Sequence, residues 1–233
     1  MTDPRFTNRE GTAAPDVALR LRKDGQWATV QTGALFAGKR VVVFSLPGAF
    51  TPTCSTSHVP RYDELAPAFA AAGVDAIYCV SVNDTFVMDA WADAQGVEHV
   101  QMLPDGNGDF TEAMGMLVDK ADLGFGRRSW RYSMLVEDGV VTRHFIEPDV
   151  PGDPYEVSDA DTMLGHVAPD ARPTPDIFML TKPFCGHCAR AKALLDEAGV
   201  PFESVDANPR MLRAVSETAT TPRVFIDGEL IGG

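Results

Sequence analysis

Two short stretches hold the residue types that could do redox chemistry. In "PGAFTPTC" Pro47 is followed by Thr51 and then Cys54, and in "CGHC" two residues separate Cys185 from Cys188. The first follows the apolar run "RVVVFSL" and the second follows "DIFML", so each cysteine falls where a buried strand hands over to a long helix. The first turn of a helix presents unpaired amide hydrogens and the positive end of the macrodipole, and both favour an anion. A thiol in such a place is pushed toward thiolate, the form that attacks electrophiles. Thr51 can set a hydroxyl beside the sulfur, while Pro47 and Pro52 stiffen the turn. Position alone leaves an inert cysteine at a strand end equally open.

The elements that must position these residues form two successions. Upstream, the pattern predicts a strand over 40–46, a helix from "STSHVPRYDELAPAFAAAG" ending at Gly73, and a buried strand over 74–82. A helix over 84–96 is capped by Asp84 and stopped by Gly96, and "WRYSMLVEDGVVTRHFIE" is a hairpin around Asp138 and Gly139. A short helix in "SDADTMLGHV" takes Ser158 as its cap. Downstream, "DIFML", "GHCARAKALLDEAG", "PFESVDA", "NPRMLRAVSETA" and "PRVFIDGELIGG" read as strand, helix, strand, polar helix and a hairpin around Asp227 and Gly228. Between them "APDARPTP", with three prolines in eight residues, reads as an extended connector. The expectation is α/β: two domains, each a mixed central sheet flanked by helices, over residues 1–167 and 176–233 with a Pro-rich linker at 168–175.

Composition bounds the function classes. The 233 residues are 45% hydrophobic and 23% charged, enough for one large core or two modest ones. The net charge is −13, with seven Lys/Arg against nine Asp/Glu in residues 168–233 and 13 against 24 upstream. No basic stripe is available for nucleic acid, and an acidic surface repels anionic lipid. No apolar segment follows the charged amino terminus, and no apolar run reaches the ~20 residues of a membrane span, so a cytoplasmic protein is expected. Four cysteines are too few for a secreted disulfide scaffold.

The stretch "PGAFTPTC" fits the P-x-x-x-T-x-x-C pattern of peroxiredoxins, and its continuation "STSHVP" resembles the peroxiredoxin 5 subfamily. With "VSVND" and "RYSMLVEDGVV" the resemblance covers roughly residues 3–165. It implies that Cys54 attacks a peroxide and that the Thr51 hydroxyl and adjacent amides, with Pro47, bind the peroxide. It also implies that Arg131 holds the thiolate. A guanidinium lowers the energy of a thiolate, and hydroxyl and amide groups stabilise charge on a departing oxygen. Arg127 and Arg128 read as ordinary solvated charges. The sulfenic acid left on Cys54 needs another thiol, and many relatives carry one late in the same domain. Here no cysteine lies between Cys79 and Cys185, and Cys79, inside "AIYCVSV", reads as a small core residue.

The missing reductant is suggested downstream. "TKPFC", "CGHC" and "TTPRVFIDGELIGG" together resemble glutaredoxin, and with no second cysteine pair a zinc site is disfavoured. The resemblance implies Cys185 as nucleophile, Cys188 as second thiol, Lys182 on a glutathione carboxylate, Thr221 pairing with the glutathione peptide, and Pro222 as a cis-proline. His187 and His58 each read either as an aid to a thiolate or as an exposed helix histidine. The Gly-His pair between the cysteines resembles protein disulfide isomerases instead, and the sequence ends at "LIGG", before the acidic residue and final helix usual in glutaredoxins, so truncation is expected. The combined expectation is two thioredoxin-fold domains forming a peroxidase. It would reduce hydrogen peroxide and organic hydroperoxides at the expense of glutathione, as a homo-oligomer without bound cofactor or metal. A general thiol-disulfide oxidoreductase, a redox sensor, and a binding protein with idle thiols are the other classes.

Overall fold

Residues 18–31 form a hairpin, β1 (Ala18–Lys23) with β2 (Gln26–Gln31), that the sequence reading left unassigned. Only Leu19 among its strand positions is buried, so its apolar signal is weak. The helix α1 (Thr32–Phe36) follows. The computed structural model describes residues 6–23, 25–169, 175–198, 200–216 and 218–232. The chain divides into two compact units, Met1–Ala171 and Arg172–Gly233. Most of the Pro-rich stretch, 170–174, lies outside the described residues.

In the first unit the run RVVVFS makes β3 (Arg40–Ser45), buried from Val41 onward. A strand turns successive side chains to opposite faces. Val42 and Phe44 accordingly enter one apolar core, and Val41 and Val43 enter the other. A five-residue π-helical turn, Cys54–His58, runs into α2 (Val59–Glu64) and α3 (Ala66–Ala71). The single helix expected here is therefore corrected to three pieces. Val59 N donates to Cys54 O across the π turn, and neither Pro60 nor Pro67 has an amide hydrogen to continue the ladder. Next come β4 (Ala76–Ser81), α4 (Thr85–Gln95), β5 (Gln101–Pro104), α5 (Asp109–Ala113) and the short pair β6 (Leu117–Asp119) and β7 (Arg127–Ser129). The expected ends of α4 are present: Asp84 accepts from Phe86 N and Val87 N, and Gly96 takes the left-handed conformation.

β8 (Tyr132–Glu137) and β9 (Val140–Ile146) form the expected hairpin, whose turn residues Asp138 and Gly139 have φ of 47° and 78°. α6 (Ala160–Val167) is capped by Asp159, which accepts from Thr162 N; Ser158 is not the cap, because its amide and hydroxyl both donate to Glu147. The sheet order is β5-β4-β3-β8-β9, with β3 parallel to β4 and antiparallel to β8.

The second unit repeats that topology. β10 (Ile177–Thr181) leads to α7 (Gly186–Ala198), then β11 (Glu203–Asp206), α8 (Pro209–Val215), β12 (Arg223–Ile226) and β13 (Glu229–Gly232). In the order β11-β10-β12-β13, β10 is parallel to β11 and antiparallel to β12, as β3 is to β4 and β8. Cys54 and Cys185 thus follow equivalent strands. Among the described residues no helix is long and apolar enough to cross a membrane.

Candidate active site

The loop carrying Cys54 is tied down at several points. Asn83 Oδ1 accepts from Ala49 N at 3.0 Å and from the Ser81 hydroxyl at 2.8 Å, which anchors the loop to the end of β4. Within it Phe50 is exposed at φ 60°, a conformation that costs a residue with Cβ about 1–2 kcal/mol. No sequence signal marks that position, because phenylalanine rarely adopts it. Cys54 is fully buried at the start of the π turn. The Thr51 hydroxyl donates to Gly48 O at 2.8 Å, so its hydrogen is directed to its own loop and its lone pairs remain to accept.

Arg131 reaches the sulfur from the entrance to β8. It is 1% exposed, and its Nη2 donates to Cys54 Sγ at 3.5 Å and to both Asp153 oxygens at 2.6 Å. Nη1 lies 2.9 Å from His58 Nδ1. His58 Nε2 lies 3.2 Å from Ser158 O. A carbonyl can only accept, so Nε2 carries the hydrogen and Nδ1 offers its lone pair to the guanidinium. Burial first, and the Arg131 charge second, hold the His58 pKa well below its usual range, consistent with that neutral tautomer. Burial opposes the charge on Arg131, but the Cys54 sulfur and the Asp153 carboxylate outweigh it and raise its pKa. Of the two readings left open for His58, the exposed helix histidine is ruled out: it is a buried partner of Arg131, packed against Phe44 and Tyr155.

The loop that closes over Arg131 hangs on Glu147, a residue sequence reasoning missed. Its buried carboxylate accepts from Glu156 N, Val157 N, Ser158 N and the Ser158 hydroxyl at 2.7 to 3.0 Å. This places the Asp153 carboxylate on the Arg131 guanidinium, the Tyr155 ring against it, and Ser158 O on His58. Arg128 is also corrected: Nη1 donates to Val82 O and Nε to Phe125 O, so it braces loops rather than standing free in solvent. Arg127 pairs with Glu112 at the surface. Cys79 is buried in β4 as expected, and burial pushes its thiol pKa well up. A cavity of about 310 Å³ is lined by Pro47, Thr51, Pro52 and Thr53 of the loop that leads into Cys54, with Lys120, Leu123, Phe125 and Asp153 among the other lining residues.

In the second unit Cys185 and Cys188 form a disulfide at the start of α7. Cys188 N donates to Cys185 Sγ at 3.1 Å, and the Thr221 hydroxyl donates to the same sulfur at 3.5 Å. The Thr221 to Pro222 bond is cis. Lys182 Nζ donates to Ala219 O at 2.9 Å, and Lys182, Lys192, Phe184 and Asp206 line a cavity of about 380 Å³ beside Cys185. His187 is exposed on α7, where its Nδ1 accepts from Arg190. Phe184, next to Cys185, repeats the φ of 60° seen at Phe50.

Two sheets of one topology, each followed by a cysteine at a helix start, define a tandem thioredoxin-fold thiol oxidoreductase. The Redoxin family matches residues 9–164, and the Glutaredoxin family matches residues 177–231. The chain is 56% identical to "Hybrid peroxiredoxin hyPrx5" of Haemophilus influenzae, over 98% of this chain and 96% of that protein. It is 58% identical to "Peroxiredoxin sll1621" of Synechocystis over 61% of this chain and 77% of that one. The structure of reduced Prx3 in complex with H2O2 from Vibrio vulnificus is similar at TM-score 0.65 and 43% identity, covering 69% of this chain and 99% of that one. The chain belongs to the peroxiredoxins, as a hybrid with a carboxy-terminal glutaredoxin domain, and is a peroxidase of the oxidoreductase class.

Proposed function

We propose that Cys54 is the thiol that attacks hydroperoxides and that glutathione and the glutaredoxin domain recycle it. The reading rests on Arg131 Nη2 lying 3.5 Å from the buried Cys54 sulfur. A charge held at hydrogen-bond range in a buried site stabilises an anion without needing to reorganise during reaction. The thiolate attacks the terminal peroxide oxygen, the O–O bond breaks, and Cys54 becomes a sulfenic acid while the departing alkoxide takes up a proton as alcohol or water. Thr51, with its hydrogen committed to Gly48, accepts the O–H of the entering peroxide, and Pro47 helps shape the entry. Glutathione then condenses with the sulfenic acid, releasing water and leaving a mixed disulfide. Cys185 attacks the glutathione sulfur of that disulfide, taking the glutathionyl group while Cys54 leaves as thiolate, and a second glutathione then attacks this group, releasing glutathione disulfide and free Cys185. In this scheme Lys182 pairs with a glutathione carboxylate, while Thr221 and Pro222 shape the groove for its backbone. Cys188 serves as a second thiol. The setting is the cytoplasm, where glutathione is kept reduced, and the chain acts as a homo-oligomer.

The test is turnover of hydrogen peroxide and cumene hydroperoxide coupled to glutathione and glutathione reductase. Cys54→Ser removes the thiol proposed to attack peroxide and is expected to abolish turnover with every peroxide. Substantial turnover in that variant, or wild-type turnover that ignores glutathione, rejects the scheme.

A further inference from the structure

Among the described residues, Lys120 and Asp153 are the charged groups on the wall of the cavity formed by the loop that leads into Cys54. Their charges are not equally available. Both Asp153 oxygens accept from Arg131 Nη2 at 2.6 Å, so a guanidinium balances that carboxylate. Lys120 Nζ donates to Gly152 O at 3.3 Å and lies 4.7 Å over the Trp130 ring. Both of those partners are neutral, so the ammonium is held in place with its charge unmatched. Asp119 and Asp122 are close to it in the chain, but neither is on the wall, and Asp119 accepts from Ala121 N. Oxidation of Cys54 adds to the imbalance. While Cys54 is a thiolate, Arg131 and Lys120 face two negative charges, the sulfur and Asp153. Once a peroxide has converted the thiolate to a neutral sulfenic acid, one positive charge is left over. His58 and Cys79, buried and uncharged, contribute none.

We propose that Lys120 anchors a carboxylate of glutathione on the peroxiredoxin domain when the tripeptide condenses with oxidised Cys54. The inference rests on the reading that glutathione resolves Cys54, and it gives the first domain a docking group of its own, separate from Lys182 of the second. Glutathione carries two carboxylates and one ammonium, an excess of one negative charge at neutral pH, so it matches the charge that oxidation uncovers. In the condensation the glutathione sulfur bonds to the Cys54 sulfur, and the sulfenic hydroxyl leaves with the thiol hydrogen as water. Cys54 is fully buried and is not on the wall, whereas Thr53, its neighbour in the chain, is. A tripeptide is too large to reach a buried sulfur, so the anchor holds it beside the start of the π turn, where Cys54 must emerge.

The test uses the full-length chain carrying Cys185→Ser and Cys188→Ser, so that a mixed disulfide on Cys54 persists. Reduced protein is mixed with one equivalent of hydrogen peroxide and then with glutathione or its diethyl ester, one thiol skeleton with and without the carboxylates. Acid-quenched samples are read by intact mass, which gives a second-order rate constant for each thiol. The ratio of the two constants, compared between variants, cancels differences in thiol reactivity. Lys120→Met keeps an apolar stem over Trp130 and should lower the glutathione-to-ester ratio about fivefold. Lys120→Arg restores the cation and should keep most of the ratio. S-methylglutathione, which cannot form a disulfide, should slow the glutathione reaction when Lys120 is intact, and its diester should not; this arm survives poor folding of either variant. An unchanged ratio in Lys120→Met, an equal fall in Lys120→Arg, or equal effects of the two S-methyl compounds overturns the inference. Absence of a mixed disulfide on Cys54 with either thiol overturns instead the reading that glutathione resolves Cys54.

Discussion

Replacing His58 isolates how far the position of Arg131 controls attack. His58 Nδ1 accepts from Arg131 Nη1 at 2.9 Å, and both residues are at most 1% exposed. Water cannot substitute for a lost acceptor there. A hydrogen bond to a charged group contributes about 1.5–3 kcal/mol, and if that whole amount reappears in the barrier the rate falls about ten- to a hundredfold. His58→Phe keeps the ring packing on Phe44 and Tyr155 and removes the acceptor. His58→Asn puts an amide oxygen near the place of Nδ1 and should retain most of the rate. The assay is stopped-flow tryptophan fluorescence on mixing reduced protein with peroxide. Trp91 is a suitable reporter, since its indole donates to the Ser55 hydroxyl, one residue from Cys54, at 3.0 Å. Attack by His58→Phe at the wild-type rate would refute the positioning argument. Equal slowing of the Phe and Asn variants would also refute it, since the Asn variant retains an acceptor and should then retain the rate.

Arg131→Met and Thr51→Val should each slow peroxide attack, the first by roughly a hundredfold, without unfolding the domain; wild-type stopped-flow rates would remove those roles. Cys185→Ser should arrest the cycle with glutathione on Cys54, visible by intact mass, whereas Cys188→Ser should keep much of its turnover by using a second glutathione. Equal inactivation of both would establish a dithiol route through the Cys185 and Cys188 disulfide. His144 is buried beside Arg9, Glu10 and Tyr132, and burial above all lowers its pKa to about 4 from an ordinary 6.5. Between those values the unfolded chain takes up a proton that the folded one refuses, so stability is lost as pH falls, by about 2 kcal/mol at pH 5 for this group. Urea titrations should show His144→Phe losing about that much less than wild type between pH 7.5 and 5, and parallel losses would refute the assignment.

Much of the fold was legible because it rests on local rules. The apolar run 40–45 dictates a strand buried on both faces, Asp138–Gly139 and Asp227–Gly228 supply the positive φ values of tight hairpins, and Asp84 with Gly96 bounds α4. Cys54 and Cys185 at strand-to-helix junctions were equally visible, as was the core position of Cys79. The surroundings of Cys54 were not. Arg131 meets His58 across a sequence separation of 73, His58 meets Ser158 across 100, and Asp153 arrives on a loop held by Glu147. Sequence alone left His58 between two readings, an aid to the thiolate and an exposed helix histidine. Tertiary folding buried it, chose its tautomer and set a carboxylate on the arginine. Helix and hairpin signals depend on neighbours along the chain, whereas burial and charge pairing depend on which distant segments pack together, so only the folded chain decided how Cys54 is surrounded.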